Sequence, residues 1–277
     1  MGYSHSNFVE FKGDPHKLNF RTLQGLIQFD TVLYQGDSYA WTAATGINAS
    51  RTASFEGNSS IPFVVGGGED GWMRSGNLKL STSVSGITGT AGWSANGYFL
   101  QGFPGLTNDE HLQNLDRLGI DVGRARAVGG LANLTWLATP NISVNLTGAG
   151  QVAFNRLPSS MGFSLGSDVG LIGLPGSIAS GDSGWLAVGE LIWTVWKNDE
   201  QQLQLIPYVG KGGLHTEIAD VTFEDDVGSG GLIARYTQDR WQVELGWVNT
   251  FDTDDNPGVW NDWWLGHGVH TKLRYAF

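Results

Sequence analysis

The 277-residue sequence contains no cysteine, which excludes disulfides, thiolate zinc sites and cysteine nucleophiles. Charge is scarce as well: Asp, Glu, Lys and Arg make up 16% of the chain, against roughly 25% in an average soluble domain. The basic residues are outnumbered, giving a formal net charge of −11. No nucleic-acid partner is expected, because phosphate binding needs clustered Lys and Arg. No run of about 18 apolar residues occurs, so a transmembrane helix is excluded. The opening segment MGYSHSNFVEFKGDPHK lacks a basic stretch followed by an apolar core, which predicts no signal peptide. Met1-Gly2 followed by Ser6 formally fits the myristoylation pattern, but too loosely to carry an anchor. Glycine (41 residues) and tryptophan (12) are abundant, and 40% of residues are apolar. That mixture suits strands with an aromatic girdle, in one large all-β domain or two ordinary ones.

Period-two alternation is the main positive signal. Between Asn141 and Asn155, residues Ile142, Val144, Leu146, Val152 and Phe154 fall on one face, and Ser143, Asn145, Thr147 and Gln151 on the other. Leu78, Leu80 and Val84 oppose Asn77, Lys79 and Ser83, and Trp241, Val243, Leu245 and Trp247 oppose Gln242 and Glu244. At the end of the chain Val269, Thr271, Leu273, Tyr275 and Phe277 share a face against His270, Lys272 and Arg274. The pattern predicts twelve strands, near 2–10, 18–33, 38–53, 73–86, 89–103, 125–138, 142–155, 184–197, 202–211, 230–238, 240–249 and 267–277.

The connections between these strands alternate in length. Short turns fall at 34–37, 87–88, 139–141, 198–200 and 239, and long segments at 11–17, 54–72, 104–124, 156–183, 212–229 and 250–266. An up-and-down meander puts successive connections at opposite ends, so this alternation gathers every elaborated loop at one end. Outer-membrane barrels are built that way, with strands alternating apolar-out and polar-in. A soluble sandwich or propeller has no reason to sort its loops. Trp41, Trp93, Trp136, Trp185, Trp193, Trp196, Trp247 and Tyr275 fall toward strand ends or on the apolar register, where amphipathic rings meet lipid headgroups. The fold class expected is an all-β, transmembrane, antiparallel up-and-down β-barrel, and the partner that follows is outer-membrane lipid. One stretch reads as helix: Thr107 to Glu110 is a capping box, and Gly119 is placed to end the helix.

Phe163–Gly184, FSLGSDVGLIGLPGSIASGDSG, has neither strand nor helix period. Loops of this length inside a domain are usually binding or gating elements, or else disordered. The apolar residues Phe163, Leu165, Val169, Leu171, Ile172, Leu174 and Ile178 argue against disorder and for packing inside something. Gly181-Asp182-Ser183-Gly184 also resembles the nucleophile segment of trypsin-like serine proteases. The segment that would hold the base, Thr42-Ala43-Ala44-Thr45, lacks the histidine, and none of the six histidines stands in that context. No catalytic residues and no cofactor are expected. The loop from Asp252 begins like a calcium site, but Pro257 replaces the turn glycine and Trp263 the bidentate glutamate, so no metal site is expected there. The polar strand faces are better candidates. Lys79, Asn145, Gln151, Glu190, Gln204, Arg235, Glu244, Lys272 and Arg274 are expected to line a lumen carrying both signs of charge.

Several short segments together resemble the two-partner-secretion transporters, the TpsB family of haemolysin-secretion type, within the outer-membrane insertase and translocase superfamily. They are Asn155–Ser160 leading into Phe163–Gly166, the tip Gly170, Leu171, Ile172, Gly173, Leu174 and Pro175, and Gly181–Trp185. Ser50-Arg51-Thr52 with Ile61-Pro62-Phe63, Leu203–Tyr208 and the closing Gly268–Phe277 add to the similarity, which covers most of the chain. The resemblance implies a sixteen-stranded barrel preceded by two POTRA domains, with its sixth long loop folded into the lumen. Counted on that plan, the chain begins at the fifth strand and carries no POTRA domain. It is then either the C-terminal part of such a barrel, as a transporter or as a truncated inactive fragment, or a smaller one closed on twelve strands that acts as a passive porin-like channel or a structural outer-membrane barrel. The resemblance further implies a translocation pore, not an enzyme, in the outer membrane of a Gram-negative-type bacterium, passing a large unfolded exoprotein. Leu273, Tyr275 and Phe277 would form the terminal signal read by the assembly machinery.

Two departures from the family pattern matter. The tip arginine of the family is here Ile172, and its aspartate partner on the facing strand is Gly210, in the segment Tyr208-Val209-Gly210-Lys211. Losing one partner alone would strand a buried charge, at a cost of about 3–5 kcal/mol. Losing both leaves apolar packing to hold the loop, while Gly181 and Asp182 remain.

Overall fold

The computed structural model describes residues 2–11, 14–56, 59–61, 66–68, 70–166, 171, 179–218, 221–251 and 267–276. Twelve strands run in sequence order through one antiparallel sheet: β1 (Gly2–Phe11), β2 (Asp14–Gln35), β3 (Tyr39–Glu56), β5 (Trp72–Thr88), β6 (Ala91–Gly102), β7 (Arg126–Thr139), β8 (Ile142–Ala153), β11 (Ser183–Lys197), β12 (Gln201–Ile218), β13 (Val221–Gln238), β14 (Trp241–Phe251) and β15 (His267–Tyr275). The short β4 (Ser59–Ile61) pairs with β3, and β9 (Phe163–Leu165) pairs with β10 (Ala179–Gly181) inside the connection between β8 and β11. Among the described residues β1 pairs only with β2 and β15 only with β14, so the sheet has two open edges.

The alternation read from the sequence places the apolar side chains on one face. Trp41, Leu80, Leu146, Val152, Trp185, Val209, Trp247, Val269 and Leu273 are all exposed there. Such an exposed apolar row is costly in water and suited to lipid. The opposite, inner face carries Lys79, Asn145, Gln151, Glu190, Gln204, Arg235, Glu244, Lys272 and Arg274 by the same alternation. That face is not polar throughout. Ile206, Tyr208, Ile233 and Val248 form a buried apolar cluster on it, and the β8–β11 segment covers another.

Two expected loops are strand. Residues 11–17 are mostly strand, with β1 reaching Phe11 and β2 starting at Asp14. In 212–229, β12 runs on to Ile218 and β13 resumes at Val221. The glycines of that segment read as breaks, yet the ladder continues because cross-strand pairs hold it. Lys211 Nζ lies 3.6 Å from Asp226, and His215 Nδ1 lies 3.2 Å from Glu224. The helix α1 (Asp109–Arg117) forms where expected, with Gly119 in the left-handed region (φ 75°) just beyond its end. Its N-cap is Asn108, not Thr107, and no side chain caps it. Helix α1 lies over β5, where its Leu115 and the following Val122 are buried against Met73.

Candidate functional site: the loop seated on the inner wall

The segment after β8 returns across the inner face before β11 begins. Phe163, Leu165 and Leu171 are buried together with Leu186, Val188, Leu214 and Val227, and Ala149 packs against them. Leu186 and Val188 are inner-face residues of β11, and Leu214 is one of β12. The seating is made possible by glycines in the wall. A side chain at Gly210 would meet Leu171 at 2.9 Å, and one at Gly212 would meet Leu165 at 2.8 Å. One at Gly184 would collide with the Phe163 ring. Three apolar side chains therefore occupy three positions where the wall has none, the kind of close interdigitation that packed interiors require.

Leu171 is fully buried and stands on Gly210, the position where the resembling family would place its aspartate. An apolar contact thus occupies the wall position at which an ion pair was expected to be lost. The remaining tip residues Gly170, Ile172, Gly173, Leu174 and Pro175 lie outside the described residues, as do Phe277 and the Asp252 loop.

The root of the loop is held by polar bonds. Asp182 Oδ1 accepts from the Leu157 N–H at 2.9 Å, and Oδ2 accepts from the Thr216 hydroxyl at 3.0 Å and from the Glu217 N–H at 3.4 Å. The Gln151 side-chain amide donates to the carbonyls of Met161 and Asp182, both at 2.9 Å, while its oxygen accepts from the Tyr98 hydroxyl at 2.9 Å. Gln151 is buried, so this set satisfies groups that would otherwise be costly to bury. The Gly181 site is equally tight, since a side chain there would approach the His215 carbonyl at 2.9 Å. Leu157 and Met161 add apolar packing against Leu100, Ala125 and Ala127. Arg156 links the root to the α1 segment, donating to the Leu118 carbonyl at 3.2 Å and lying 3.9 Å from Glu217.

The other expected lining residues pair within the inner face. Lys79 Nζ lies 5.1 Å from the centre of the Tyr98 ring. Asn145 donates to Glu190 at 3.2 Å, and Gln204 to Thr194 at 3.4 Å. Arg235 and Gln242 both donate to Glu244 Oε1, at 2.8 and 2.9 Å. Lys272 stands opposite Glu244, and Arg274 opposite Gln242. Two placements differ from expectation. Lys211 does not share a face with Tyr208 and Gly210: those two are buried inward, and Lys211 pairs with Asp226 on the outer face, one step further in the alternation. His215 stands directly opposite Ser183 in the ladder, so an imidazole is near that serine after all. No hydrogen bond joins them, and the Ser183 hydroxyl instead accepts from the Ala153 N–H at 3.0 Å. Leu273 and Tyr275 lie exposed on the outer face, with the Tyr275 ring 4.6 Å from that of Trp241.

No protein family model and no curated protein matches this sequence. Among solved structures, the chain is similar to CdiB from Escherichia coli, with a TM-score of 0.80 at 13% identity, covering 100% of this chain and 49% of that one. CdiB from Acinetobacter baumannii aligns with a TM-score of 0.64 at 15% identity, over 92% of this chain and 43% of that one. The chain therefore spans about half the length of these two structures. With its exposed apolar face and its long connections gathered at one end, the chain has the fold of an outer-membrane β-barrel wall like that of CdiB.

Proposed function

We propose that this barrel is a translocation pore of two-partner-secretion type in the outer membrane of a Gram-negative-type bacterium. Its cargo would be a large, unfolded exoprotein of adhesin or haemolysin class, and the 156–183 loop would be the element that occupies and releases the conduit. The observation that carries this reading is the seating of Phe163, Leu165 and Leu171 over Gly184, Gly212 and Gly210 on the inner wall. A loop held by apolar contacts above a polar-bonded root can leave the wall without exposing an unpaired charge. The likeness to CdiB, a TpsB transporter, supports the same class. The open edges at β1 and β15 favour a wall completed by further strands over a passive pore closed on these twelve, because unpaired strand edges are not tolerated in hydrocarbon. Strand β15, with outward Leu273 and Tyr275, would be the part read by the assembly machinery.

Single-channel conductance in planar bilayers tests the loop's role. Deletion of 166–180 should raise conductance by opening the lumen. Unchanged conductance in a correctly inserted barrel would sink the proposal.

A further inference from the structure

The outer face carries a feature that the pore reading does not use. Strands β2, β3 and β5 each place an arginine there: Arg21, Arg51 and Arg74. Arg51 stands directly opposite Arg74, and Arg21 opposite Ala53, two residues along β3 from Arg51. They share the face of the exposed Leu23, Ile27, Ile47 and Leu80. The Arg21 guanidinium lies over the Phe55 ring at 4.7 Å and that of Arg51 over Trp72 at 3.9 Å, while the two rings meet edge to face at 5.9 Å. Stacking of this kind fixes the guanidinium planes and leaves their donors available.

Such an arrangement is unfavourable alone, since like charges directly opposite one another destabilise an antiparallel pair. Among the described residues no carboxylate comes within ion-pair distance of any of the three. Arg51 Nε is buried without a partner. Three clustered arginines are also out of character for a chain of net charge −11 with 16 basic residues in all. The cluster calls for an anion.

Its height says which anion. Trp41, near the short-turn end of β3, is opposite Val84, and Arg51 and Arg74 each lie ten residues from these two (51 − 41 and 84 − 74). At about 3.3 Å per residue and a tilt of about 40°, ten residues rise roughly 25 Å, the height of a barrel's apolar band. The arginines thus reach the headgroup level of the leaflet on the long-loop side, with Phe55 and Trp72 as the aromatic girdle at that level.

We propose that Arg21, Arg51 and Arg74 form a binding site for the phosphorylated headgroup of an outer-leaflet lipid, an inference that rests on the membrane orientation given above. Guanidinium forks match phosphate oxygens bidentately. The strip of Leu23, Ile27, Ile47 and Leu80 below them receives the acyl chains.

Native mass spectrometry of the full chain in detergent micelles, titrated with bis-phosphorylated lipid A, tests this. The wild type should retain the lipid, and the triple variant Arg21→Gln/Arg51→Gln/Arg74→Gln should bind roughly tenfold more weakly or worse, as loss of charge-assisted bonds implies. Lipid A stripped of its phosphates should bind the wild type as weakly as the variant binds the intact lipid. Equal binding by the triple variant, or of the dephosphorylated lipid, overturns the proposal. Inorganic pyrophosphate that displaces the lipid at equal concentration overturns it in favour of a free-anion site. Where the triple variant fails the heat-modifiability test of a folded barrel, Arg74→Gln alone decides: its side chain is exposed, weakened binding supports the site and wild-type binding refutes it. Conductance should stay at the wild-type level in these variants, so failure of this site and failure of the pore reading are told apart.

Discussion

Replacing Leu171 by alanine isolates the apolar seat from the polar root. Leu171 is 0% exposed and packs among Leu165, Leu186 and Val188 above Gly210. Buried Leu→Ala changes cost about 2–5 kcal/mol. The lower part of that range applies here, because the segment can settle toward the wall. A loss of about 2.5 kcal/mol raises the population of unseated loop roughly 60-fold. The absence of native cysteine makes the measurement direct. A reporter cysteine at Val188, buried on the inner wall in the same cluster as Leu171, is covered while the loop is docked and reacts with maleimide when it lifts. In the Val188→Cys background, Leu171→Ala should accelerate labelling by about that 60-fold factor if opening is fast relative to reaction. Heat-modifiable gel mobility should be unchanged, since the Asp182 root is untouched. Labelling within about twofold of the parent, in a folded barrel, would refute the view that this contact holds the loop.

Two further outcomes follow from the root and from helix α1. Gln151→Leu leaves the Met161 and Asp182 carbonyls and the Tyr98 hydroxyl without the partners they have now. At about 1–3 kcal/mol for each stranded buried group, the urea midpoint of the folded barrel should fall measurably, and a midpoint equal to wild type would remove Gln151 from the root. His111 is buried, and its Nδ1 accepts from the Arg74 N–H at 3.0 Å. Burial pushes its pKa below the usual 6.5, against the opposing pull of Glu110 and Asp70. Its stabilising contribution is therefore complete above pH 6.5 and is lost as pH falls through the lowered folded value. The protection of amides in 109–117, taken relative to their intrinsic exchange rates, should fall on acidification below pH 6.5, and His111→Gln should flatten that dependence; a profile unchanged by the substitution would show that another group governs it.

Much of the wall was legible because lipid imposes a simple rule on both faces. Ile142 through Phe154 alternate without interruption, so β8 could be read to within two residues at its end. The tryptophans and the alternation of long and short connections pointed to the same up-and-down sheet. The seat of the loop was not legible. Leu171 and Gly210 lie 39 positions apart (210 − 171), and a glycine carries no side chain to advertise what rests on it. The upper parts of β12 and β13 were not legible for a related reason: Gly212, Gly213 and Gly228 resemble breaks. Lys211–Asp226 and His215–Glu224 become partners only once the register is known. The arginine cluster was hidden the same way, since Arg21, Arg51 and Arg74 sit on three strands and meet only across the sheet.

Strand lengths around the wall are unequal, and this shapes the mouth. Strands β12 and β13 have 18 residues each, against 12 in β6 and 12 in β8. With the rise and tilt of barrel strands, 18 residues stand about 45 Å tall and 12 about 30 Å. The rim is therefore a notched palisade, high along the β12–β13 hairpin and low at β6 to β8. Helix α1 and the β8–β11 segment emerge from the low side, so the notch is roofed by the two segments that follow these 12-residue strands.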